Sequence, residues 1–504
     1  MLLGDVLAVP DAPPVEITAL AYDNRRVGDG TLFFCVRGFT RDGHDFAGDA
    51  VARGAAALVV DHPLGLGVPE VEVVDVRAAM APAAARLHGD PTARLKMVGV
   101  TGTNGKTTTC FLVRELLEAG GVQTGLLGTV TSFVGGVERS TERTTPEAID
   151  LQGTFAEMLD GGDAACAMEV SSHALELGRA DAIHWDVAVF TNLSQDHLDF
   201  HPSMEEYFAA KRRLFEAGPR VKVVNVDDEY GRRLAAAHPD AITYSLADAG
   251  DLEIDFTGSR FTLDGVRMAT PHPGAFNVLN ALAAIHAARA LGVSDDVIAR
   301  ALPRAGRVPG RFEPVDEGQD FAVIVDYSHT PDSLDNVLRA ARALAGEARV
   351  VCVFGAGGDR DRAKRPLMGE IAAALADRAI VTSDNPRSED PEAIIAEIAA
   401  AMEDPECVVD RREAIERAIE DAGPGDVVVI AGKGHEQGQE LAGGVKVPFD
   451  DVAVARDALR SRVGAAGAAA PAAARPGAVG AASPGVARPG AEPSAETAEG
   501  RPRA

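Results

Sequence analysis

The sequence predicts an α/β protein of three domains, and three observations carry that reading. The chain has 504 residues, too many for one hydrophobic core and enough for about three domains of ordinary size. The stretch VGVTGTNGKTT, residues 98–108, reads as a buried strand, a glycine-rich turn and the start of a helix, the layout of a P-loop-like phosphate-binding unit. From residue 309 to 462, apolar strands and amphipathic helices alternate with short loops. That alternation argues a parallel sheet with helices on its faces.

Residues 1–94 mix short strands (TLFFCVRG, AALVV, VEVVDV) with short helical stretches and form a first, small α/β unit. Residues 95–308 open on LKMVGV, the strand before the glycine turn, and continue through CAMEVSSH and VAVFTNLS, two more strand-like runs. MEEYFAAKRRLFEAG in the same segment is a helical run. In the third segment FAVIVDY is a strand. TPDSLDNVLRAARALAG is a helix with Pro331 in its first turn and Leu334, Val337, Leu338, Ala341 and Leu344 on one face. Then follow RVVCVFG, a helix from about Pro366, AIVTS, a helix from Pro391, CVVD, a helix from about Glu413, and DVVVIAG. Residues 463–504 are Ala, Pro and Gly with hardly a large apolar side chain. Such a segment cannot bury enough surface to offset its ordering entropy, and a disordered tail is expected.

The chain is 46% hydrophobic and 25% charged, with a formal net charge of −27. Such acidity argues against a nucleic-acid partner or an anionic membrane, while leaving room for local basic pockets that take an anionic substrate. Cys35, Cys110, Cys166, Cys352 and Cys407 lie far apart in apolar runs and form no C-x-x-C pair, so all five are expected reduced and buried. The start, MLLGDVLAVPDAPP, has no basic n-region and no long apolar core, so no signal peptide is expected. No apolar run reaches the roughly 18–20 residues of a membrane helix. No membrane insertion and a cytoplasmic location are therefore expected.

A strict P-loop, G-x-x-x-x-G-K-[ST], would place its first glycine at Val100; the chain offers Gly99 and Gly102 instead. The physics survives the variation. Backbone N–H groups of residues 102–107 can face a phosphate with the helix N-terminus behind them. Lys106 brings charge to the β- and γ-phosphates, and Thr107 brings a hydroxyl for Mg²⁺. In AMEVSSHALELGR, Glu169 ends a strand, either as a metal ligand or as a solvated carboxylate. In NLSQDHLDFH, His197 stands between Asp196 and Asp199. This group suits a divalent cation such as Mg²⁺ or a capping role, and its spacing fits no zinc pattern. By residue type alone, Lys211 in its helix is a surface lysine. DYSHTPD, GAGGDRDRAKR, SDNPRSED and AGKGHEQ all follow strands of the third segment, where ligands bind in such sheets.

Taken together, GTNGKTT, MEVSSH, TNLSQDHLD, the YFAAK helix, GAFNVLN, DYSHTPD, GAGGDRD and GKGHE resemble the Mur ligase family in order and rough spacing, over residues 1–462. The likeness is nearest to the members that attach the third residue of the peptidoglycan stem. It implies a UDP-sugar-binding domain at 1–94, a central P-loop-like ATP-binding domain at 95–308, and a C-terminal Rossmann-like domain at 309–462 that binds the incoming amino acid. The tail at 463–504 lies outside it. The resemblance further implies that Gly102, Thr103, Asn104, Gly105, Lys106, Thr107 and Thr108 cradle the phosphates of ATP, and that Asn277, Arg311 and Asp326 contact the nucleotide. Lys106, Glu169, His197 and Lys211 would be the catalytic group. Thr107, Glu169, His197 and Lys211 would serve Mg²⁺, Lys211 as a carbamate formed with CO₂.

The resemblance places Asn24, Thr144, Thr145, Ser171 and Arg179 at the UDP-sugar. There are two departures: Asn24 stands where the family motif D-S-R has serine, and Leu177 where a glutamine is common. Arg360, Asp384, Asn385, Pro386, Arg387, Gly432 and Glu436 would surround the amino acid. The D-N-P-R segment points to meso-diaminopimelate. That amino acid carries a second carboxylate, which a guanidinium can pair bidentately, whereas lysine offers only an ammonium that Arg387 would repel. Glu436 would hold the distal ammonium. The implied reaction moves the γ-phosphate of ATP to the D-glutamate carboxylate of UDP-MurNAc-L-Ala-D-Glu, and the amine of diaminopimelate then displaces the phosphate. A monomer is expected. The alternatives are an L-lysine-adding or dipeptide-adding ligase of the same type, a folylpolyglutamate-synthetase-like enzyme, and a nucleotide-binding protein without ligase activity.

Overall fold

Strands buried on both faces need apolar side chains at every position, and the runs VVCVF and VVVIA meet that need as Val350–Phe354 and Val427–Ala431, buried throughout. The computed structural model describes residues 1–141 and 143–469. Residues Met1–Val463 form one compact unit.

Near the N-terminus, four parallel strands pair in sequence order: Ala19–Ala21, Thr31–Phe34, Ala55–Val60 and Glu70–Glu72. Leu32, Phe34, Ala57 and Val59 pack one face of this sheet against Met80 and Ala84 of the helix Val76–Leu87.

The central sheet has eight strands. Across it run Ile242–Tyr244, Val221–Asn225, Val187–Phe190, Lys96–Thr101, Ala165–Glu169, Thr124–Leu127, Ser132–Val134 and Val137–Arg139. The first six are parallel and the last two form an antiparallel hairpin on the edge. Lys96–Thr101 lies between Val187–Phe190 and Ala165–Glu169. Three neighbouring strands therefore deliver the glycine turn, Glu169 and the segment leading to His197 to one edge of the sheet. The helices Lys106–Ala119 and Ala275–Ala290 bury Leu112, Val113, Leu116, Val278 and Leu282 in one core. The helices Ala148–Asp160 and Met204–Glu216 bury Leu151, Phe155, Tyr207 and Leu214 in another. An antiparallel sheet of Gly250–Asp255, Gly258–Leu263 and Val266–Thr270, which the sequence reading did not anticipate, adds Phe261, Leu263 and Met268 to the first of these cores.

The third sheet of the expected plan has six strands. Their order is Glu313–Pro314, Ala322–Asp326, Val427–Ala431, Val350–Phe354, Arg378–Val381 and Glu406–Cys407. All neighbours are parallel except the two-residue edge strand Glu313–Pro314. The helix Pro331–Ala345 starts where expected, with Thr330 accepting from Ser333 N and Pro331 in the first turn. The next helix begins at Lys364 rather than Pro366; a proline in a first turn forfeits no intrahelical bond, so it does not have to mark the start. Likewise the expected start at Glu413 moves to Arg411, because Asp410 caps the helix by accepting from Glu413 N. CVVD shortens to the edge strand Glu406–Cys407.

Cys407 on that edge is exposed, against the expectation of five buried thiols; the other four are buried. The final helix runs Asp451–Ala469, so the segment expected as a disordered tail from residue 463 begins inside a helix. Its residues from 470 onward lie outside the described residues. Among the described residues, no helix is long and apolar enough to cross a membrane.

Candidate functional site

The glycine turn needs its glycines. Gly102 has φ 151° and a Cβ there would lie 1.9 Å from Thr191 Oγ1; Gly105 has φ 84° and a Cβ would meet Asn280 Oδ1 at 2.2 Å. The turn is tied to the neighbouring strand end, because Thr103 N donates to Asn192 O at 2.9 Å and Asn104 N to Asn192 Oδ1 at 2.8 Å. Two of the amides expected to face phosphate are therefore spent on bracing the loop.

Lys106 Nζ donates to Gly102 O at 3.2 Å and Thr103 O at 2.8 Å. Lys211, expected at the surface by residue type, is instead 1% exposed, and its Nζ donates to the same Gly102 oxygen at 2.7 Å. The Tyr207 ring lies 4.5 Å from Lys211 Nζ. Two ammonium groups converging on one buried oxygen repel each other. Burial pushes both amines below the ordinary lysine value, Lys211 well below, with Lys106 adding to the effect on Lys211.

Glu169 ends its strand buried, 1% exposed, with its carboxylate turned onto Thr129, whose N donates at 2.7 Å and whose Oγ1 donates at 3.1 Å. His197 adopts φ 56° and its Nε2 lies 3.3 Å from Asp196 Oδ2. Desolvation pushes the His197 imidazole down to about 3 and that of His173, stacked on Phe200, down to about 4. Both rings are neutral at ordinary pH and offer lone pairs.

These groups line one cavity of about 830 Å³ with residues 103–108, Thr144, Thr145, Ser171, Arg179, Asn277, Arg311, Asp326 and Arg360. Arg311 Nη2 donates to Thr107 Oγ1 at 3.2 Å, and its guanidinium lies 4.3 Å from the Tyr327 ring centre. Asp326 accepts from Phe312 N at 2.7 Å and Ser328 N at 2.9 Å, and burial raises its pKa. Asn277 Nδ2 donates to Pro273 O at 2.8 Å. Sequence reasoning named Arg179 but missed the group it joins behind the cavity wall: Arg77, Arg143 and Arg179 converge on Glu147 at 2.9, 3.3 and 2.9 Å. Three cations on one buried carboxylate leave a positive excess, the charge that an anionic substrate needs. Asn104 Nδ2 donates to Asp332 Oδ2 at 2.7 Å, joining the turn to the helix Pro331–Ala345.

Not every expected residue reaches this cavity. Among the described residues, its lining does not include Gly102, Lys211, Asn24 or the D-N-P-R segment. Gly102 and Lys211 lie behind the loop. Asn24 donates to Asp49 Oδ2 at 2.7 Å in an exposed turn. Asp384, Asn385, Pro386, Arg387, Gly432 and Glu436 belong to a second group in the third sheet's loops. Lys433 Nζ, fully buried, donates there to Asn385 Oδ1 at 2.8 Å and lies 3.4 Å from Asp384 Oδ1 and 3.3 Å from Glu436 Oε2. Asn385 Nδ2 donates to Glu436 Oε2 at 2.9 Å. Arg387 holds φ 51°; its Nε donates to Glu440 Oε2 at 2.9 Å and its Nη1 to Gly358 O at 2.7 Å. Glu440 and Lys433 carried no signal in the sequence beyond lying in or next to GKGHE. Gly432, at φ 124°, would set a Cβ 3.2 Å from Asp384 Oδ2.

The donor set fits a magnesium nucleotide. Thr107 and Glu169 offer oxygens, His197 offers a neutral imidazole, and all three line the cavity beside the phosphate turn. A buried amine held well below its ordinary pKa likewise fits Lys211 to capture CO₂.

Three family descriptions match the chain: the Mur ligase family catalytic domain over residues 16–88, the Mur ligase middle domain over 100–288, and the Mur ligase glutamate ligase domain over 310–434. The chain belongs to the Mur ligase family. Among relatives in that family, the UDP-N-acetylmuramoyl-L-alanyl-D-glutamate–2,6-diaminopimelate ligase of Geobacillus kaustophilus (strain HTA426) is 50% identical over 473 residues, covering 89% of this chain and 96% of the relative. The protein of the same name from Streptomyces coelicolor (strain ATCC BAA-471 / A3(2) / M145) is 47% identical, covering 91% and 95%. A solved Mur ligase structure of that same name superimposes with a TM-score of 0.66 at 34% identity, covering 92% of this chain and 99% of the other. A MurF crystal structure from Acinetobacter baumannii shares the fold, with a TM-score of 0.64 at 19% identity and coverage of 92% and 98%.

Proposed function

We propose that this Mur ligase joins meso-diaminopimelate to UDP-N-acetylmuramoyl-L-alanyl-D-glutamate at the expense of ATP, making a peptidoglycan precursor. The observation that carries the reading is one cavity in which the phosphate turn, Glu169 and His197 face the positive group of Arg143 and Arg179. A triphosphate and an anionic acceptor can meet there.

Thr103 to Thr108 hold the phosphates, and Asn277, Arg311 and Asp326 hold the nucleoside. Lys106 leaves the carbonyls of its own loop to meet the γ-phosphoryl group, where charge spreads as the group transfers. Thr144, Thr145, Ser171 and Arg179 orient the sugar-peptide so that its D-glutamate carboxylate attacks the γ-phosphorus and ADP departs. Thr107, Glu169 and His197 would hold Mg²⁺, which would supply positive charge to neutralise the phosphates. The diaminopimelate amine then attacks the acyl carbon, the C–N bond forms, the acyl C–O bond breaks with its electron pair leaving on phosphate, and nitrogen gives up a proton. Arg387 pairs the distal carboxylate, and Asn385, Glu436 and Arg360 fix the amino acid. The chain's own contribution is positioning and exclusion of water that would hydrolyse the acyl phosphate.

Lys211 acts as a carbamate in this proposal, turning a buried cation into an anion beside the metal group. The division at residues 94 and 308 assigns the UDP-sugar, ATP and amino-acid roles to successive segments. ATP-dependent phosphate release with UDP-N-acetylmuramoyl-L-alanyl-D-glutamate, run in parallel with meso-diaminopimelate and L-lysine, tests the reading. Turnover with diaminopimelate alone is expected. Turnover with lysine instead keeps the ligase and removes the role given to Arg387.

A further inference from the structure

A group of side chains in the N-terminal sheet takes no part in the reaction above, and none of them lines the cavity. His44 sits in the short 3-10 turn Gly43–Phe46, and Asp61 and His62 directly follow the strand Ala55–Val60. His44 is nearly enclosed, its side chain 5% exposed. Its Nδ1 lies 2.6 Å from Asp42 Oδ1, and its Nε2 accepts from Asp61 N at 3.3 Å. Those two bonds fix the tautomer. Nδ1 carries the proton and gives it to a carboxylate, and the lone pair on Nε2 takes the Asp61 N–H in a long bond of 3.3 Å, which a metal ion would displace. A carboxylate behind a histidine is the arrangement that orients metal-ligating imidazoles.

The opposite side of the site is complete as well. Asp61 Oδ1 lies 3.2 Å from His44 Nε2 and 2.5 Å from His62 Nδ1, and the two imidazole rings stack with centres 4.7 Å apart. One ligand atom from each of the three residues falls within 4.8 Å of the other two. Four-coordinate zinc with bonds of about 2.0–2.1 Å sets its ligand atoms about 3.3 Å apart. His44 and Asp61 already stand at that separation. His62 must draw back and rotate out of its stack on His44 to aim a ring lone pair at the ion, and its side chain, 50% exposed, has room to do so. Arg37 orients the Asp61 carboxylate, its Nε 2.7 Å from Oδ2 and its Nη2 donating to Oδ1 at 3.2 Å, and the longer of these contacts is the one a metal on Oδ1 would replace. Asp42 and Asp61 against Arg37 leave one negative charge to meet a dication.

We propose that His44, Asp61 and His62 bind a divalent transition metal of the zinc class, with the fourth position open to water. Two imidazoles and one carboxylate favour Zn²⁺ or Co²⁺ over Mg²⁺, which demands oxygen ligands. Binding displaces the proton shared by His62 and Asp61 and releases it to solvent. The ion pins the turn Gly43–Phe46 to the end of the strand Ala55–Val60, and with it the loop closed by the Arg37–Asp42 bridge.

The test uses the full chain, loaded with Zn²⁺, passed through metal-free buffer and assayed for retained zinc. His62→Gln and Asp61→Asn are treated alongside, and ligase turnover, which does not involve His62, reports that the His62→Gln protein is folded. The wild type is expected to retain one more equivalent of zinc than either variant. With Co²⁺ in place of zinc, the visible band of a tetrahedral site is expected in the wild type and absent from His62→Gln. Saturating zinc should raise the unfolding midpoint of the wild type and leave that of His62→Gln unmoved. Equal zinc retention by wild type and His62→Gln, or a Co²⁺ spectrum unchanged by the substitution, overturns the proposal and leaves a hydrogen-bonded His–Asp–His group.

Discussion

Lys106 and Lys211 end on backbone carbonyls alone, whereas Lys433 and Arg387 have carboxylates among their partners, Asp384 and Glu436 for one and Glu440 for the other. Both pairs sit at the carboxyl edges of parallel sheets, yet their states before substrate arrives differ. A carbonyl gives a buried cation only partial compensation, so burial depresses both amines of the first pair. In the proposed reaction each meets a partner from outside, an anionic phosphate for Lys106 and neutral CO₂, which adds to the uncharged amine, for Lys211. Around the third sheet the anions are already built in. Under the proposed function an incoming amino acid would exchange partners with groups that hold each other, which would reward a ligand carrying both a carboxylate and an ammonium. One region is primed by a missing charge, the other selects by substitution of charges already present.

Removing the first kind of cation should have the largest effect. Lys106→Met is expected to lower kcat on the order of 10²–10³-fold, the range for loss of a donor aimed at developing charge, with the KM for diaminopimelate little changed. Steady-state kinetics with each substrate varied in turn checks the split.

Lys211 ranks next. An ordinary lysine amine titrates near about 10.4, and the depressed Lys211 amine is neutral well below that. The neutral form is the one that adds CO₂, so activation by bicarbonate should fade as pH drops and the amine takes up its proton. Buffer stripped of CO₂ is expected to lower activity roughly tenfold or more, about 1.4 kcal/mol, with recovery on adding bicarbonate. Intact mass should show one CO₂ on the wild type and none on Lys211→Ala. Activity indifferent to CO₂ would sink the carbamate and leave Lys211 as a brace for Gly102.

The second region breaks at Arg387. Truncating a buried, charge-assisted contact costs about 2–5 kcal/mol, so Arg387→Ala should raise the KM for diaminopimelate at least about 30-fold while sparing ATP binding. Glu440→Gln sharpens the comparison with the smallest change. Glu440 occupies the Nε side of the Arg387 fork. Neutralising it should ease entry of the distal carboxylate, lowering the KM for diaminopimelate by about 3- to 5-fold, the worth of a modest hydrogen bond. The same change removes an attraction for the lysine ammonium, so discrimination against L-lysine should widen. A raised KM for diaminopimelate would mean that Glu440 positions Arg387 rather than competing for it.

What the sequence disclosed follows the range of the signal. The glycine turn and the helix from Pro331 are written in residues next to each other, and they fold where the spacing placed them. Starts that depend on a cap two or three residues upstream, at Asp410, or on a proline inside the first turn, at Pro366, were displaced by two. Lys211 was unreadable from its own helix, because nothing in MEEYFAAKRRLFEAG says that this face meets the back of a loop some 109 residues earlier. The resemblance pointed to it and the residue type pointed away. Arg143 and Glu147 share the stretch RTTPE, but Arg77 and Arg179 reach Glu147 from distant segments, so the group as a whole has no motif. Glu440 follows a recognisable motif but earns its part only by reaching Arg387 across the loop.

Cys407 lies on an edge strand and is exposed, while Cys35, Cys110, Cys166 and Cys352 are buried. Cys35 is packed in the N-terminal sheet, Cys110 and Cys166 on the two faces of the central sheet, and Cys352 in the third. The chain thus carries its own set of opening reporters. In native conditions an alkylating reagent meets one fast thiol, which serves as the internal standard. Each slower thiol marks the opening of one core, so the order in which they react maps which sheet loosens first and which region the bound nucleotide holds shut.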